Sequence, residues 1–473
     1  MDGNWMSLIP PLTTLATAII TKRIIPSLTL GLLVGGMLVA RNVFTGVVKA
    51  TEYIVDALAD PGSAYIVLFL FLFGSLTEIF KMSGGIKGFS ILAQRYVKSE
   101  RGALLSVWAA TPATFLDCCF HVISTGTIAG PLIEKVKGSK EKLAMVVNVT
   151  SSQLIVLIPV ATTYVGYIIG VTASSMRKAG IEGSPYALYV QSIPYNFYSI
   201  GMVLMSVLVI YFGLGFGKWR FGKGGSAEGG VHGEHEAHEQ CQFEEKAQPR
   251  VSNLLLPLAL LIGLIFFLFW YTGQGEGRTF MQAYLNAEFE KAIFIATFAT
   301  LVITALYYAL QKIPMAEMES HFLSGGTELL PPIVVLILSW SLSSATQDLG
   351  FIEFVSETVG ATIPKLFIPA AVFLIAGFTS YFIGSSWATW ALMMPLGLPL
   401  AVSTGAGLPL TVGAVLAGGS IGDNVSPLGE TPVLTSAITD IPILDHVQTT
   451  LPYAAVVIGL ATVLFIAMQA ILT

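Results

Sequence analysis

Five acidic side chains stand inside apolar stretches of this sequence, where a charge is costly. They are Glu78, Asp117, Asp348, Asp423 and Glu430. A carboxylate near the middle of a bilayer costs about 3 kcal/mol or more, so it is expected only where it is paired or functional. We therefore treat these acids and the polar residues around them as candidates for binding cations or protons. Glu78, at the end of an apolar stretch, is either a pathway acid or an interfacial one.

Asp117 lies in a polar break of the long apolar stretch ATPATFLDCCFHVISTGTIAGPL. We favour an ion- or proton-binding carboxylate over a helix cap, since serine or asparagine would cap a helix without the cost of a charge. His121 follows about one helical turn later. It is a candidate proton relay, and a buried histidine with satisfied hydrogen bonds is an equal alternative.

Asp423 and Glu430 lie in the glycine-rich stretch GGSIGDNVSPLGETPVLTSAITD, residues 418–440. Its glycines and Pro427 prevent a continuous helix, and we expect free carbonyl groups there. Hard cations prefer carboxylate, carbonyl and hydroxyl oxygens. The stretch therefore predicts a Na⁺ site formed by Asp423, Asn424 and Ser426, with Glu430 nearby, rather than a simple kink.

Neutral polar residues accompany the acids at two further breaks. One group follows the first long stretch: Asn148, Thr150, Ser151 and Ser152. The other marks the middle of a second long stretch: Gly384, Ser385, Ser386, Trp387 and Thr389. Small residues allow close packing against unwound segments. We interpret all of them as ion- or substrate-binding residues, and we favour a gate or site wall over an interfacial anchor for Trp387.

The composition places these residues in a membrane protein. The 473 residues are 54% hydrophobic and only 11% charged, with a mean hydropathy of +0.75, whereas soluble domains are about a quarter charged. This excludes a nucleic-acid-binding protein, a disordered scaffold and a disulfide-rich secreted domain. The amino terminus lacks the basic region of a cleavable signal, so we expect residue 1 to be retained. The class is an all-α polytopic membrane protein.

Apolar runs of about twenty residues predict the spans. They lie near 5–20, 24–40, 64–81, 142–172, 195–217, 252–272, 289–310, 328–346, 408–438 and 450–472. Two further stretches, 103–133 and 364–402, are too long for one span. The first is interrupted at Thr111, Pro112 and Asp117, and the second at Gly384, Ser385 and Ser386. We interpret both as helical hairpins.

The order of these features repeats. Gly85 corresponds to Gly350 at an offset of 265 and Pro131 to Pro395 at 264, and Asn148 and Asn424 follow in the same order in the two halves. We predict two repeats, 1–217 and 252–473, each with five spans, a helical hairpin and an interrupted helix. An odd number of crossings per repeat makes the two repeats inverted in the membrane.

A polar linker, 218–251, joins the repeats. Its His232, His235, His238 and Cys241 are of metal-binding type, but we favour a flexible loop because no rigid element would fix ligand geometry. With the linker on the cytoplasmic side, only seven of the 24 basic residues fall outside: Arg41, Lys49, Arg177, Lys178, Arg278, Lys291 and Lys365. The positive-inside rule then predicts a cytoplasmic linker and external termini in the cell membrane.

Four blocks of the sequence resemble the NhaC-type Na⁺/H⁺ antiporter family. The most specific is 418–454, GGSIGDNVSPLGETPVLTSAITD…LDHVQTTLPYA, against the family's GG-x-x-GDHCSPISDTT and DH-V-x-TQLPYA. The others are 83–103, 115–132 (FLDCCFHVISTGTIAGPL) and 378–395 (FTSYFIGSSWATWALMMP). The resemblance covers about residues 65–455. It implies secondary active transport with inverted repeats, hairpins and an elevator or rocking mechanism.

The sequence departs from the family pattern at several positions. The paired Asp-Asp of the family is Asp117-Cys118 here, its Asn is His121, and its GDH histidine is Asn424. Its SDT acid is replaced by Glu430, and the arginine expected before Pro131 is Gly130. Two titratable groups of the family pattern, one acid and one histidine, are therefore absent from this sequence.

Two functions remain open from the sequence. The first is a Na⁺/H⁺ antiporter in which both ions compete for Asp117 and Asp423. The alternative is a Na⁺- or H⁺-coupled transporter of a small organic anion or amino acid, which the surplus of neutral polar residues supports. An enzyme or a channel is not expected. We expect no cofactor besides Na⁺ and H⁺ as transported or coupling ions. The expected partners are the lipid bilayer and a small ion or molecule, with no nucleic acid; a homodimer is left open.

Overall fold

The computed structural model describes residues 5–213, 250–275, 278–354 and 364–472, which fold into helices with no strand among them. Nearly all of the linker lies outside these residues, together with the predicted metal-type residues His232, His235, His238 and Cys241. Up to the linker, the α-helices are Ile9–Thr21, Ile24–Ala40, Val43–Ala59, Pro61–Met82, Gly85–Tyr96, Glu100–Thr114, Cys118–Lys135, Lys140–Asn148, Thr163–Lys178, Pro185–Ser192 and Phe197–Phe212. Beyond it they are Ser252–Thr272, Phe280–Leu285, Phe289–Leu310, Met315–Glu328, Leu330–Asp348, Phe351–Phe354, Ile368–Ile383, Ser386–Thr404, Leu408–Gly419, Gly422–Val425, Glu430–Thr439 and Ile443–Leu472.

Several of these helices are long and apolar enough to cross a membrane. Among the described residues six pass that test: Pro61–Met82, Ser252–Thr272, Phe289–Leu310, Met315–Asp348, Lys365–Ile383 and Ile443–Leu472. Two bent pairs bring the number to eight, Ile24–Ala40 with Val43–Ala59 at 119° and Pro185–Tyr195 with Phe197–Phe212 at 50°. The all-α polytopic class is confirmed. The division into inverted repeats at 1–217 and 252–473 stays a prediction.

Among the helices of 14 residues or more, two lie outside the predicted spans. Val43–Ala59 carries Lys49, Glu52 and Asp56, so no window of twenty apolar residues marks it. Met315–Glu328 carries three glutamates, and together with the following helix it forms the long unit Met315–Asp348. The predicted span 328–346 is therefore only the second part of a longer helical unit. The charged residues of each helix hid both from a hydropathy pattern.

The first predicted hairpin is formed by Glu100–Thr114 and Cys118–Lys135. Its arms run antiparallel, because the start of the first arm contacts the residues after the second: the Ser139 N–H donates to Glu100 over 2.9 Å. That bond and the nearby Lys142 ammonium lower the pKa of Glu100, which keeps this closing contact charged at neutral pH. The break falls at residues 115–117 and includes Asp117, as predicted, whereas Thr111 and Pro112 are accommodated inside the first arm.

The second predicted hairpin is formed by Ile368–Ile383 and Ser386–Thr404, with its break at Gly384 and Ser385 as predicted. Gly384 ends the first arm with a φ of +73°, a conformation that glycine adopts without strain. A Cβ there would also lie 2.6 Å from the Leu428 backbone. The tip of this hairpin therefore lies against the turn 426–429.

Each hairpin is followed in the sequence by an interrupted segment. The first broken segment is Lys140–Asn148, continued by a π-helical turn, Val149–Leu154, and a 3₁₀ turn, Ile155–Leu157. The second comprises three short helices: Leu408–Gly419, Gly422–Val425 and Glu430–Thr439. Cys118–Lys135 packs on the last of these, and Ile368–Ile383 packs on the first. Both hairpins thus contact the second broken segment.

Candidate ion-binding site

A cavity of about 150 Å³ lies where the tip of the first hairpin meets the tip of the second. Its lining includes the carboxylates of Asp117, Glu328 and Glu430, and none of its described lining residues is basic. The remaining lining residues are Ile24, Ile25, Cys118, Cys119, Leu329, Pro331, Pro332, Val335, Ser385 and Trp387. Lys81 pairs with Glu328 from outside the lining and balances only part of this negative charge, so the cavity favours cations.

Asp117 is held at the tip of the first hairpin by three hydrogen bonds. One carboxylate oxygen accepts from the Cys119 and Phe120 N–H groups at 2.9 and 3.1 Å, and the other accepts from the Thr163 hydroxyl at 3.0 Å. Asp117 therefore caps the helix Cys118–Lys135 and also lines the cavity. The sequence presents a helix cap and an ion-binding carboxylate as alternatives for Asp117. In the structure Asp117 is a helix cap and also lines the cavity.

Glu430 and Glu328 complete the acidic lining. Glu430 begins the last helix of the second broken segment and is exposed towards the cavity. Its Oε1 accepts from the Cys119 thiol over 3.4 Å. Glu328 ends the helix Met315–Glu328. Sequence analysis missed it, because it stands at the predicted start of a span and looked like a boundary residue.

An ion-pair cluster lies next to Glu328. The Lys81 ammonium is 2.7 Å from Glu78 and 3.3 Å from Glu328, and His321 is 3.3 Å from Glu78. Lys81 and Glu78 are only 11% and 16% exposed. Glu78 is thus a paired, largely buried acid. The spacing of Glu78 and Lys81 on one helix face was the available signal, but their partners lie some 240 residues away in sequence.

Asp423 lies behind the cavity rather than on its wall. It is 3% exposed. Its Oδ2 accepts from the Ser386 hydroxyl and, over 3.3 Å, from the Tyr164 hydroxyl, while its Oδ1 faces the Ser386 N–H at 3.4 Å. Ser386 is the first residue of the second arm of the second hairpin. The carboxylate therefore ties the second broken segment to that hairpin tip.

Asn148 and Asn424, which the sequence places at matching positions, contact each other. The Asn424 amide donates to Asn148 Oδ1 over 2.6 Å, and the Asn148 amide donates to the Asp423 carbonyl over 3.1 Å. The Tyr198 hydroxyl donates to Asn424 Oδ1 over 2.8 Å. All these polar groups are buried and paired, so the two broken segments are fixed to each other at this point.

Three carbonyl groups of the second broken segment accept hydrogen bonds from side chains of other segments. The Ser380 hydroxyl donates to Gly419, the Gln153 amide donates to Ser420 over 2.8 Å, and the Asn148 amide donates to Asp423. The sequence predicts free carbonyls here, and at Gly419, Ser420 and Asp423 that prediction is wrong. A buried carbonyl without a partner is costly, and neighbouring side chains remove that cost.

The predicted sodium ligands point to different partners. Asp423 faces Ser386, Asn424 faces Asn148 and Tyr198, and the Ser426 hydroxyl donates to the Tyr381 carbonyl over 2.7 Å. On the short helix Gly422–Val425, successive side chains diverge by about 100°. A Na⁺ site shared by these three residues stays a prediction, and it requires at least one of these side chains to turn.

His121 and Thr150 join the first hairpin to the first broken segment. The His121 ring nitrogens lie 2.8 Å from the Thr114 hydroxyl and 2.9 Å from the Thr150 hydroxyl, and the side chain is fully buried. Ser151 and Ser152 both donate to the Asn148 carbonyl. These polar groups are satisfied within the protein and do not line the cavity.

The tip of the second hairpin forms one wall of the cavity. Ser385 caps the second arm by accepting from the Ala388 N–H, and its carbonyl accepts from Thr389. Trp387 lines the cavity and packs edge-on against Tyr164 and Tyr167 at 5.0 and 4.7 Å. The Tyr167 hydroxyl donates to the Trp387 carbonyl over 2.9 Å. This aromatic cluster holds the tip close to Asp423.

Comparison with known proteins places the chain among transporters. A model of the Na⁺/H⁺ antiporter family matches residues 154–469. An uncharacterized protein of Haemophilus influenzae is 29% identical over 469 residues, 95% of this chain and 88% of the relative. The arginine/ornithine antiporter ArcD of Halobacterium salinarum is 35% identical over 133 residues, 27% and 26% of the two chains. The Na⁺/H⁺ antiporter NhaC of Bacillus subtilis is 33% identical over 150 residues, 29% and 32%.

Among solved structures, the fold is similar to that of MtrF of Neisseria gonorrhoeae, which is described as one of a class of antimetabolite efflux pumps. The TM-score is 0.60 at 15% identity, over 89% of this chain and 84% of that chain, so the likeness shows the fold alone. The NhaC-type resemblance found in the sequence is confirmed by the family match. The chain is a multi-pass membrane transporter and belongs to the Na⁺/H⁺ antiporter family.

Proposed function

We propose that this protein exchanges Na⁺ for protons by alternating access. The observation that carries the proposal is the cavity lined by Asp117, Glu328 and Glu430 with no basic side chain on its described wall. Carboxylates bind hard cations and protons alike. The cavity therefore supplies one set of groups for which both ions compete.

Competition for the same carboxylates produces obligatory exchange. With neither ion bound, the charges of Asp117 and Glu430 would have to cross the low-dielectric barrier unneutralised, which is costly. Neutralised by Na⁺ or by protons, the cavity can open to the other side. Only loaded states then change their access, and one ion leaves as the other enters.

Asp423 connects the charge state to the hairpin tip. Its Oδ2 accepts from Ser386 and Tyr164, so a cation or proton at this carboxylate competes with the bonds that hold the second hairpin. Binding of an ion at Asp423 thus loosens the contact between the hairpin tip and the second broken segment, and release of the ion re-forms it. In this proposal Asp423 gates the cavity and also completes the cation site that Asp117 and Glu430 line.

Reconstituted protein tests the exchange directly. Liposomes loaded with a pH-sensitive dye, with a preset acid interior, should lose internal protons when Na⁺ or Li⁺ is added outside and should respond less to K⁺. Empty liposomes and the Asp423→Asn protein are the controls. Absence of a Na⁺-dependent pH change in active preparations would exclude Na⁺/H⁺ exchange. We place the protein in the cell membrane with a cytoplasmic linker and external termini.

The size of the cavity favours one second candidate, a coupled transporter of a small organic solute. A cavity volume of about 10–15 Å³ is enough to hold one water molecule. The volume of about 150 Å³ found here therefore exceeds what a single Na⁺ requires. The acidic lining repels an organic anion. Within this alternative it favours an amino acid bound through its amine. Uptake of radiolabelled amino acids by the same liposomes, with and without a Na⁺ gradient, separates this candidate from ion exchange.

A further inference from the structure

Two adjacent thiols face the cavity beside the acids. Cys118 and Cys119 are 3% and 8% exposed, and both line the cavity with Asp117 and Glu430. The ligand atoms of Asp117, Cys118 and Cys119 all lie within 4.8 Å of one another. Ion exchange through carboxylates makes no use of sulfur, so the thiol pair has no role in the proposed transport cycle.

The spacing of these groups matches a tetrahedral metal centre. The two sulfur atoms are 3.8 Å apart. Zn–S bonds of about 2.3 Å at the tetrahedral angle place two sulfurs about 3.8 Å apart. Cys119 Sγ and Glu430 Oε1 are 3.4 Å apart. In a tetrahedral centre with one Zn–S bond of about 2.3 Å and one Zn–O bond of about 2.0–2.2 Å, the sulfur and oxygen atoms lie about 3.5 Å apart.

We propose that Cys118, Cys119 and Glu430 bind a thiophilic divalent cation, Zn²⁺ or Cd²⁺, with Asp117 as the fourth ligand. Sulfur ligands select such soft or borderline cations over Na⁺. Each thiol binds as a thiolate, and its proton passes to the solvent. The metal would join the first hairpin to the second broken segment. The inference does not depend on Na⁺/H⁺ exchange, since it concerns binding alone.

Titration of the purified protein with Cd²⁺ tests the site through the ultraviolet thiolate-to-metal absorption band. The background carries Cys241→Ser, His232→Ala, His235→Ala and His238→Ala, which leaves Cys118 and Cys119 as the only cysteines. We expect one Cd²⁺ per chain, a band of two-thiolate intensity, and protection of both cysteines from a maleimide. Zn²⁺ should displace the Cd²⁺ band, whereas excess Na⁺ should not.

Variants of the ligands distinguish this site from incidental thiol binding. Cys118→Ser/Cys119→Ser should abolish the band, and Glu430→Gln should weaken the affinity about tenfold or more, as even the loss of an outer-shell partner does. Asp348→Asn, which leaves all four ligands in place and lies outside the cavity lining, is the matched control and should keep the full band. A stoichiometric band that is insensitive to Glu430→Gln, or that has one-thiolate intensity, would overturn the four-residue site. Failure of Cd²⁺ to protect either cysteine would overturn it as well.

Discussion

Replacing Asp423 by asparagine removes a buried charge and keeps the side-chain volume. The carboxylate is 3% exposed and accepts hydrogen bonds from Ser386 and Tyr164. A hydrogen bond to a charged group contributes about 1 kcal/mol more than a neutral one, so two weakened bonds cost about 2 kcal/mol. Burying a carboxylate costs several kcal/mol, which the amide avoids. We therefore expect Na⁺-free Asp423→Asn protein to be at least as stable as the parent.

The response of the same variant to Na⁺ should differ sharply. Na⁺ at 100 times its dissociation constant should raise the free energy of unfolding of the parent by about 2.7 kcal/mol. Asp423→Asn should show no such increase and no transport. Unfolding of purified protein in Na⁺ or in choline measures the difference.

Asp348→Asn is the matched control for this experiment. Asp348 also accepts a hydroxyl hydrogen bond, from Tyr53 at 2.5 Å, but it does not line the cavity. This variant should keep the full Na⁺ effect. If Asp423→Asn also kept it, the cation would bind elsewhere and the role assigned to Asp423 would be refuted.

Four further predictions concern coupling and topology. Asp117→Asn should abolish exchange in the liposome assay while the protein still folds, because asparagine also caps helices well; retained exchange would remove Asp117 from the site. Glu78→Gln should keep at least partial exchange, since Glu78 does not line the cavity, and complete loss in folded protein would contradict this. Raising external pH should strengthen the apparent Na⁺ affinity about tenfold per unit where one proton competes; a flat response would exclude competition. A cysteine placed in 224–240 of a cysteine-free protein should react with a membrane-impermeant reagent only after the cells are permeabilised. Labelling of intact cells would show that the assigned topology is wrong.

The hairpin tips were predictable because their signals are local. Gly384 and Ser385 mark the second break as a left-handed C-terminal residue followed by a serine cap, and both are common at helix ends. The first break lies at Asp117, one of the three residues predicted to interrupt that stretch. Pro112 looks like a helix breaker in the sequence, yet it lies inside the first arm, and the carboxylate cap at Asp117 defines the break instead.

The rest of the candidate site depends on contacts between distant segments. Glu328 joins the cavity only because the helix Met315–Glu328 packs along Pro61–Met82, and no local pattern encodes that contact. Tyr164 and Tyr198 are ordinary aromatic residues of apolar helices until folding places their hydroxyls on Asp423 and Asn424. In the same way, the hydrogen-bonded carbonyls of the second broken segment accept from Ser380, Gln153 and Asn148. No sequence pattern links these three residues to that segment.

The contact between Asn148 and Asn424 has an evolutionary consequence. A residue that meets its own counterpart must be self-complementary, and an amide is, because it carries both a donor and an acceptor. If the two halves descend from one duplicated ancestor, that ancestor assembled as a pair of identical subunits with this asparagine meeting itself. An aspartate there would have set two like charges against each other. In that case the residues that flank this asparagine could diverge only after fusion, as Asp423 in one predicted repeat and Val147 in the other would have done.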